Sequence, residues 1–198
     1  KKESGRYEEG QKQSPWSAWY DNGQKKYVMH LQNSKKHGLY TEWRRDGAKA
    51  EETLYQHGRK HGLHALWHRN GSKRREITYM NGNWHGQETI WFKNGGLNKV
   101  AYYQKGKEHG KTTRWGPDGN KVEEAHFKDG QYHGLHTQWH RNGEPWMRRK
   151  YKNGAIEGKA VRWYENGKKK REQTFAKGQK SGPFTAWYPN GNKSVVVY

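Results

Sequence analysis

The sequence predicts an all-β protein, an elongated antiparallel meander of about eight 24-residue β-hairpins. Three observations predict it. Tryptophan recurs at Trp19, Trp43, Trp67, Trp91, Trp115, Trp139, Trp163 and Trp187, a step of 24 residues with no insertion. A fixed period of that size marks an array in which each unit buries its apolar side against its neighbours. Four residues after each of these eight tryptophans stands glycine, from Gly23 to Gly191, always preceded by Asn or Asp. Such a pair between strand-forming runs is the strongest short-range hairpin signal, because both residues tolerate positive φ. A second glycine-bearing turn, as in Tyr55-Gln56-His57-Gly58-Arg59-Lys60-His61-Gly62, then returns the chain to the next tryptophan strand.

The hairpin register follows from the side chains. A two-residue loop at Asn70-Gly71 pairs Trp67 with Arg74, whereas a three-residue loop with a glycine bulge, Arg69-Asn70-Gly71, pairs Trp67 with Lys73. The second is expected, because it places Arg75, Ile77 and Tyr79 on the tryptophan face with Leu63 and Ala65. By repetition the same face takes Thr53 and Tyr55, Ala101 and Tyr103, and Ala125 and Phe127. The expected repeat core is therefore the eight tryptophans with Tyr55, Tyr79, Tyr103, Phe127, Tyr151 and Phe175.

The chain is expected to form a single domain over residues 1–198, with atypical end units at about 1–34 and 179–198. Gln13-Ser14-Pro15 stands where His-Gly recurs elsewhere, and Leu31 and Ser34 replace an aromatic residue and its glycine. Glu157-Gly158 and Ser181-Gly182 lack the histidine. The last run, Val195, Val196, Val197 and Tyr198, carries no charge to blunt a strand edge, so it is a candidate docking edge or a strand folded back on its own sheet.

Composition supports the same picture. Leu, Ile, Val and Phe number only 21 of 198 residues, and the formal net charge is +20, a combination that alone falls in the disordered range. Eleven Trp and thirteen Tyr supply the contact area that the aliphatics do not. The surplus of 39 Lys and Arg over 19 Asp and Glu points to an acidic partner, a nucleic acid or an anionic surface. No apolar run approaches the roughly 20 residues of a membrane span. There is no cysteine, hence no disulfide and no thiolate site. A soluble protein is expected, and a leader removed ahead of Lys1 would make it secreted or cell-surface.

The runs Tyr55-x2-Gly58-x2-His61-Gly62, Tyr79-x2-Gly82-x2-His85-Gly86, Tyr103-x2-Gly106-x2-His109-Gly110 and Phe127-x2-Gly130-x2-His133-Gly134 resemble the MORN repeat. With Trp-x2-Asn-Gly-x-Lys joined to each copy, the chain is most similar to the bacterial variant, a family that includes antitoxins of toxin/antitoxin modules. The resemblance implies an array of antiparallel hairpins acting as a non-catalytic binding surface for proteins, for a toxin, or in eukaryotic members for anionic lipid. A poorer likeness, to choline-binding cell-wall repeats, fails on their shorter period and different Gly-Trp order.

No catalytic constellation stands out. His37, His61, His85, His109 and His133 recur on the beat, but at about 10 Å per unit they cannot share one ion, and each is expected to hydrogen-bond its own turn. Glu51-Glu52 and Glu123-Glu124 are adjacent on strands, so their carboxylates point to opposite faces. Lys25, Lys49, Lys73, Lys121, Lys169 and Lys193 stand opposite tryptophan, where their stems can lie over an indole. Together with Arg44, Arg45, Arg69, Arg74, Arg75, Arg114, Arg141, Arg148, Arg149, Arg162 and Arg171 they make the candidate basic binding surface.

The expected function is a non-enzymatic scaffold that binds an acidic protein partner, antitoxin- or immunity-like, with no cofactor, no metal and no small-molecule substrate. The alternative is a structural or cell-surface protein that self-associates edge to edge into oligomers or fibres. Binding of anionic lipid or nucleic acid stands third.

Overall fold

The computed structural model describes residues 3–197, with the backbone alone at Gln13. Regular structure among them is entirely β, and the chain forms two compact units, Lys1–Gly96 with Tyr103–Gly106, and Leu97–Tyr102 with Lys107–Tyr198. The first unit holds β1 (Glu3–Glu8), β2 (Gln11–Trp19), β3 (Lys25–Gln32), β4 (Lys35–Trp43), β5 (Lys49–Gln56), β6 (Arg59–Trp67), β7 (Lys73–Met80) and β8 (Asn83–Trp91). Each pairs antiparallel with the next. Next come β9 (Leu97–Gln104), β10 (Lys107–Glu108), β11 (Gly110–Trp115), β12 (Lys121–Lys128), β13 (Gln131–Trp139) and β14 (Pro145–Lys152). The last five are β15 (Ala155–Ile156), β16 (Gly158–Trp163), β17 (Lys169–Ala176), β18 (Gln179–Trp187) and β19 (Lys193–Val197). The second unit is likewise an antiparallel meander.

The Asn-Gly loops take the expected three-residue form. In the β6–β7 hairpin the His68 N–H donates to the Ser72 carbonyl at 2.8 Å and the Gly71 N–H to the His68 carbonyl at 3.1 Å, with Gly71 at φ 84°. Trp67 accordingly pairs with Lys73. One residue further the register shifts: Arg74 is extra, and Leu66 pairs with Arg75, His64 with Ile77 and Gly62 with Tyr79. This corrects the expected face assignment. The loop is the three-residue one, but the strand bodies run in the register of the two-residue alternative. Paired residues share a face and neighbours alternate, so Arg75, Ile77 and Tyr79 lie opposite Trp67, with His64 and Leu66.

The return turns are of a different kind. His57 and Gly58 have φ of 49° and 82°, and Gln56 pairs with Arg59. A two-residue turn with both central residues at positive φ matches the twist of the strands it joins. Three residues later His61-Gly62 forms a second bulge, since Thr53 pairs with His64 but Tyr55 with Lys60.

Within each unit the sheet therefore has two dissimilar faces. One carries the period tryptophans, all eight half-buried, and a ladder of ion pairs such as Lys49–Glu52 in the first unit and Lys169–Glu172 in the second, both at 2.8 Å. Lysine meets tryptophan here one repeat further on than expected: Lys25, Lys49 and Lys169 place their ammonium groups 5.7, 5.0 and 5.5 Å from the rings of Trp43, Trp67 and Trp187. The other face carries Tyr55, Tyr79, Tyr103, Phe127, Tyr151 and Phe175, also half-buried. The most deeply buried side chains fall on this second face at one repeat position, Thr53, Ile77, Ala101 and Ala125, none more than 1% exposed.

Hydrogen bonds along both edges tie consecutive repeats together. On the loop edge, Asn22, Asn70, Asn142 and Asn166 donate from Nδ2 to the carbonyls of Arg45, Lys93, Glu165 and Pro189. On the return-turn edge, the N–H groups of Gly58, Gly82, Gly130 and Gly154 donate to carbonyls of the preceding repeat at 2.7–2.8 Å. His37, His61 and His133 accept at Nδ1 from the N–H of His57, Asn81 and Asn153, at 3.4–3.5 Å. The repeat histidine thus serves the turn of the following repeat, not its own as expected.

Gly71 has nothing within 4 Å of where a Cβ would stand, so its substitution isolates the backbone term. Gly71→Ala is expected to cost about 1–2 kcal/mol in urea denaturation, and Gly71→Asn clearly less, since Asn tolerates the left-handed region. Equal costs for the two would contradict the loop conformation.

Candidate functional site

The arginines of the candidate basic surface occupy three different environments. At the loop edge Arg45, Arg69 and Arg141 each approach the aspartate of the preceding loop, Asp21, Asp46 and Asp118, at 3.1, 3.4 and 3.6 Å. Arg44 donates to the carbonyls of Lys49 and Trp67 and so braces its own loop against the next. Arg74 is the exposed bulge residue of β7, and Arg148 lies 5.8 Å from the Trp163 ring on the tryptophan face. Arg75, Arg114, Arg149, Arg162 and Arg171 are on the tyrosine face, by their pairing with Leu66, Glu123, His136, Met147 and Ala186.

On that face four cations have a carboxylate from the adjacent strand. Arg75 meets Glu88 at 2.5 Å, and Glu88 is 2% exposed. Lys99 meets Glu108 at 2.8 Å, Arg114 meets Glu123 at 3.0 Å, and Lys60 meets Glu51 at 3.5 Å. His136 Nε2 lies 2.8 Å from Glu123, and this hydrogen bond, outweighing burial, holds the Glu123 carboxyl below its ordinary range. His64 takes a different environment, with Nδ1 2.7 Å from the Thr53 hydroxyl and 3.5 Å from both Glu51 and Lys60. Burial first, then Lys60, pushes its pKa down to about 4 against the opposing pull of Glu51.

The second unit departs from this scheme at β14–β18. Arg162 of β16 pairs directly with Arg171 of β17, while Arg149 pairs with His136 and lies one row along. With Lys180 of β18 they line an open hollow of about 230 Å³, whose wall includes Phe175 and Phe184 and no carboxylate. Among the described residues no ion pair is formed by Arg149, Arg162, Arg171 or Lys180; Arg149 reaches only the Tyr151 hydroxyl, at 3.5 Å. Burial, then Arg171 and Arg149, lowers the pKa of Arg162. The guanidinium of Arg162 also sits 5.3 Å from the Trp146 ring.

Three of these residues were among the expected basic positions; Lys180, Phe184 and Trp146 were not. The signal that singles them out is comparison at fixed repeat position. Arg171 stands where Glu51 and Glu123 stand, and Ala160 and Phe184 stand where Glu88 stands.

At the far edge Val195, Val196 and Val197 of β19 are exposed and pair with β18. Tyr198, the fourth residue of the candidate docking edge, lies outside the described residues. Among the described residues no helix is long and apolar enough to cross a membrane.

Three consecutive stretches of the chain, residues 108–129, 132–153 and 156–177, match the family of the MORN repeat variant. They run through β10 to β17, and the third includes Arg162 and Arg171. No curated protein matches the chain.

Two expectations follow from the compensated part of this face. Glu88→Ala leaves Arg75 without its carboxylate in a buried setting and is expected to cost about 3–5 kcal/mol in chemical denaturation. Loss below about 1 kcal/mol would place the pair in effective contact with water. His64 has a folded pKa below its unfolded value of about 6.5, so its neutral form contributes stability fully above that value. The contribution is lost as pH falls from about 6.5 to about 4. A His64→Gln variant should therefore show a flatter fall in melting temperature over that window than the wild type, and identical slopes would refute the assignment.

Proposed function

We propose that this protein is a non-catalytic repeat scaffold that binds an acidic protein partner, in the manner of an antitoxin or immunity protein that acts by covering its target. MORN repeat proteins are repeat scaffolds, typically of the binding type, and the matched stretches include Arg149, Arg162 and Arg171. The observation that carries the reading is the cluster of Arg149, Arg162, Arg171 and Lys180, cations gathered on one face without an internal acid. Uncompensated charge of one sign steers and orients a partner of the other sign. Arg45, Arg69 and Arg141 contribute less, because each already faces an aspartate and exposed pairs of this kind are worth little.

A second reading, edge-to-edge assembly, is favoured by the three exposed valines of β19, since a strand edge without charge is a template for pairing. Sedimentation at rising concentration tests it: a Val196→Lys variant should stay monomeric where the wild type associates, and a monomeric wild type overturns it.

For the scaffold reading, the immobilised chain is expected to retain acidic proteins from its native source at about 100 mM salt. An Arg149→Gln/Arg162→Gln/Arg171→Gln variant should lose at least tenfold of that capture. Retention of the same proteins by the variant, or a retained set with no acidic bias, would contradict the proposal.

A further inference from the structure

The repeat supplies its own comparison for the arginine hollow. Lys60 has Glu51 beside it, and Arg114 has Glu123. Glu51, Glu123 and Arg171 occupy the same position of the 24-residue period, as do Lys60 and Lys180, and Arg114 and Arg162. At the last of these sites the carboxylate has been replaced by a third cation. The other internal sources of acid have gone as well. Arg75 is neutralised from the position that Phe184 fills, and Lys99 from the position that Lys180 fills.

The backbone frame is otherwise unchanged: Arg162 pairs with Arg171 in the register in which Arg114 pairs with Glu123. Directly opposed strand residues hold their Cβ atoms about 4.5–5.5 Å apart, and like charges so placed repel. Ala160, where other repeats carry His64, Glu88 or His136, leaves the space between Arg149, Arg162 and Phe175 unfilled. The result is an open hollow whose wall combines the three arginines with Phe175 and Phe184, wide enough to admit a carboxylate side chain. Guanidinium recognises carboxylate through paired N–H donors, and apolar walls suit the methylene stem of a glutamate.

We propose that this hollow receives a glutamate-type carboxylate side chain from the acidic partner, which restores in trans the Arg–carboxylate pair that the repeat forms internally at Arg114–Glu123. The proposal rests on the acidic-partner reading and adds to it the ligand group, the receiving residues and one position, 171, that decides between an internally closed site and an open one. It also makes Arg171 the specificity-determining residue: a carboxylate placed there occupies the site from within.

The test uses the full chain and a blocked hexaglutamate peptide as the probe, at about 100 mM salt, read by calorimetry and by the fluorescence of the tryptophans, Trp146 among them. The wild type should bind the peptide. Arg171→Glu should weaken binding at least tenfold while leaving the thermal midpoint at or above that of the wild type, because it recreates the Arg114–Glu123 arrangement. Arg171→Gln, which removes the charge without closing the site, should weaken binding as well, though less than Arg171→Glu. Lys152→Gln, which removes one charge from the exposed end of β14, should stay within threefold of the wild type.

Equal binding by Arg171→Glu and wild type would overturn the site, as would an equal loss in Lys152→Gln. Tighter binding of inorganic phosphate than of the peptide would overturn the carboxylate assignment. An acidic protein captured from the native source and retained by Arg171→Glu would overturn the site while leaving the scaffold reading standing. Peptide bound as expected with no acidic protein captured would overturn the scaffold reading and support the site.

Discussion

Two register shifts in every repeat decide which side chains of this protein meet. A strand slipped by one residue sends each of its side chains to the other face, and the extra residue after the loop lysine, Arg74 in the β6–β7 hairpin, is such a slip. It separates the tryptophans from the tyrosines and gives each its own surroundings. Tryptophan faces lysine and the Lys–Glu ladder, while tyrosine shares its face with buried histidine, arginine and glutamate. The second shift, at His61-Gly62, is of two residues, so it keeps the faces and brings Lys60 opposite Tyr55. Without the first slip Arg75 and its counterparts Glu51, Glu123 and Arg171 would lie on the tryptophan face, and there would be neither these compensated pairs nor the uncompensated cluster.

The chemistry of the tyrosine face then follows from which residues occupy a few fixed positions. A buried ion pair of the Arg75–Glu88 kind contributes little net stability against an apolar replacement, but leaving one partner alone is costly. The repeats of β5–β8 and β9–β13 avoid that cost by supplying a carboxylate from the neighbouring strand. At β16–β18 the chain forgoes it, and the opposed arginines stand partly exposed around an open hollow. A surface of this kind is poorly neutralised by its own protein and well suited to neutralisation by another.

Much of the fold was legible in the sequence because the repeat states it eight times. The tryptophan period and the Asn-Gly or Asp-Gly pairs specify hairpins and the three-residue loop, and both stand in the structure. The faces were not legible. An extra residue such as Arg74 has no chemical signature: its counterparts Lys26, Ala50, Val122 and Trp146 share no property of charge, size or hydropathy. The histidines misled in a smaller way, since spacing shows that they sit beside a turn but not whose N–H they accept. The arginine cluster was half legible. Arg149, Arg162 and Arg171 are conspicuous as basic residues, but so are Arg45, Arg69 and Arg141, which turn out to face aspartates. Only pairing across strands distinguishes an arginine with an acid from an arginine opposite an arginine.

The most direct test of this account is a pair of double-mutant cycles in chemical denaturation, one on Arg162 and Arg171, the other on Arg114 and Glu123, with glutamine as the replacement throughout. Coupling energies of neighbouring charges are measurable in this way and carry a sign. The account predicts a favourable coupling for Arg114 with Glu123 and an unfavourable one for Arg162 with Arg171, the second growing weaker as salt is raised. A zero or favourable coupling between Arg162 and Arg171 would contradict it, since the two guanidinium groups would then not confront each other on one face without an acid between them.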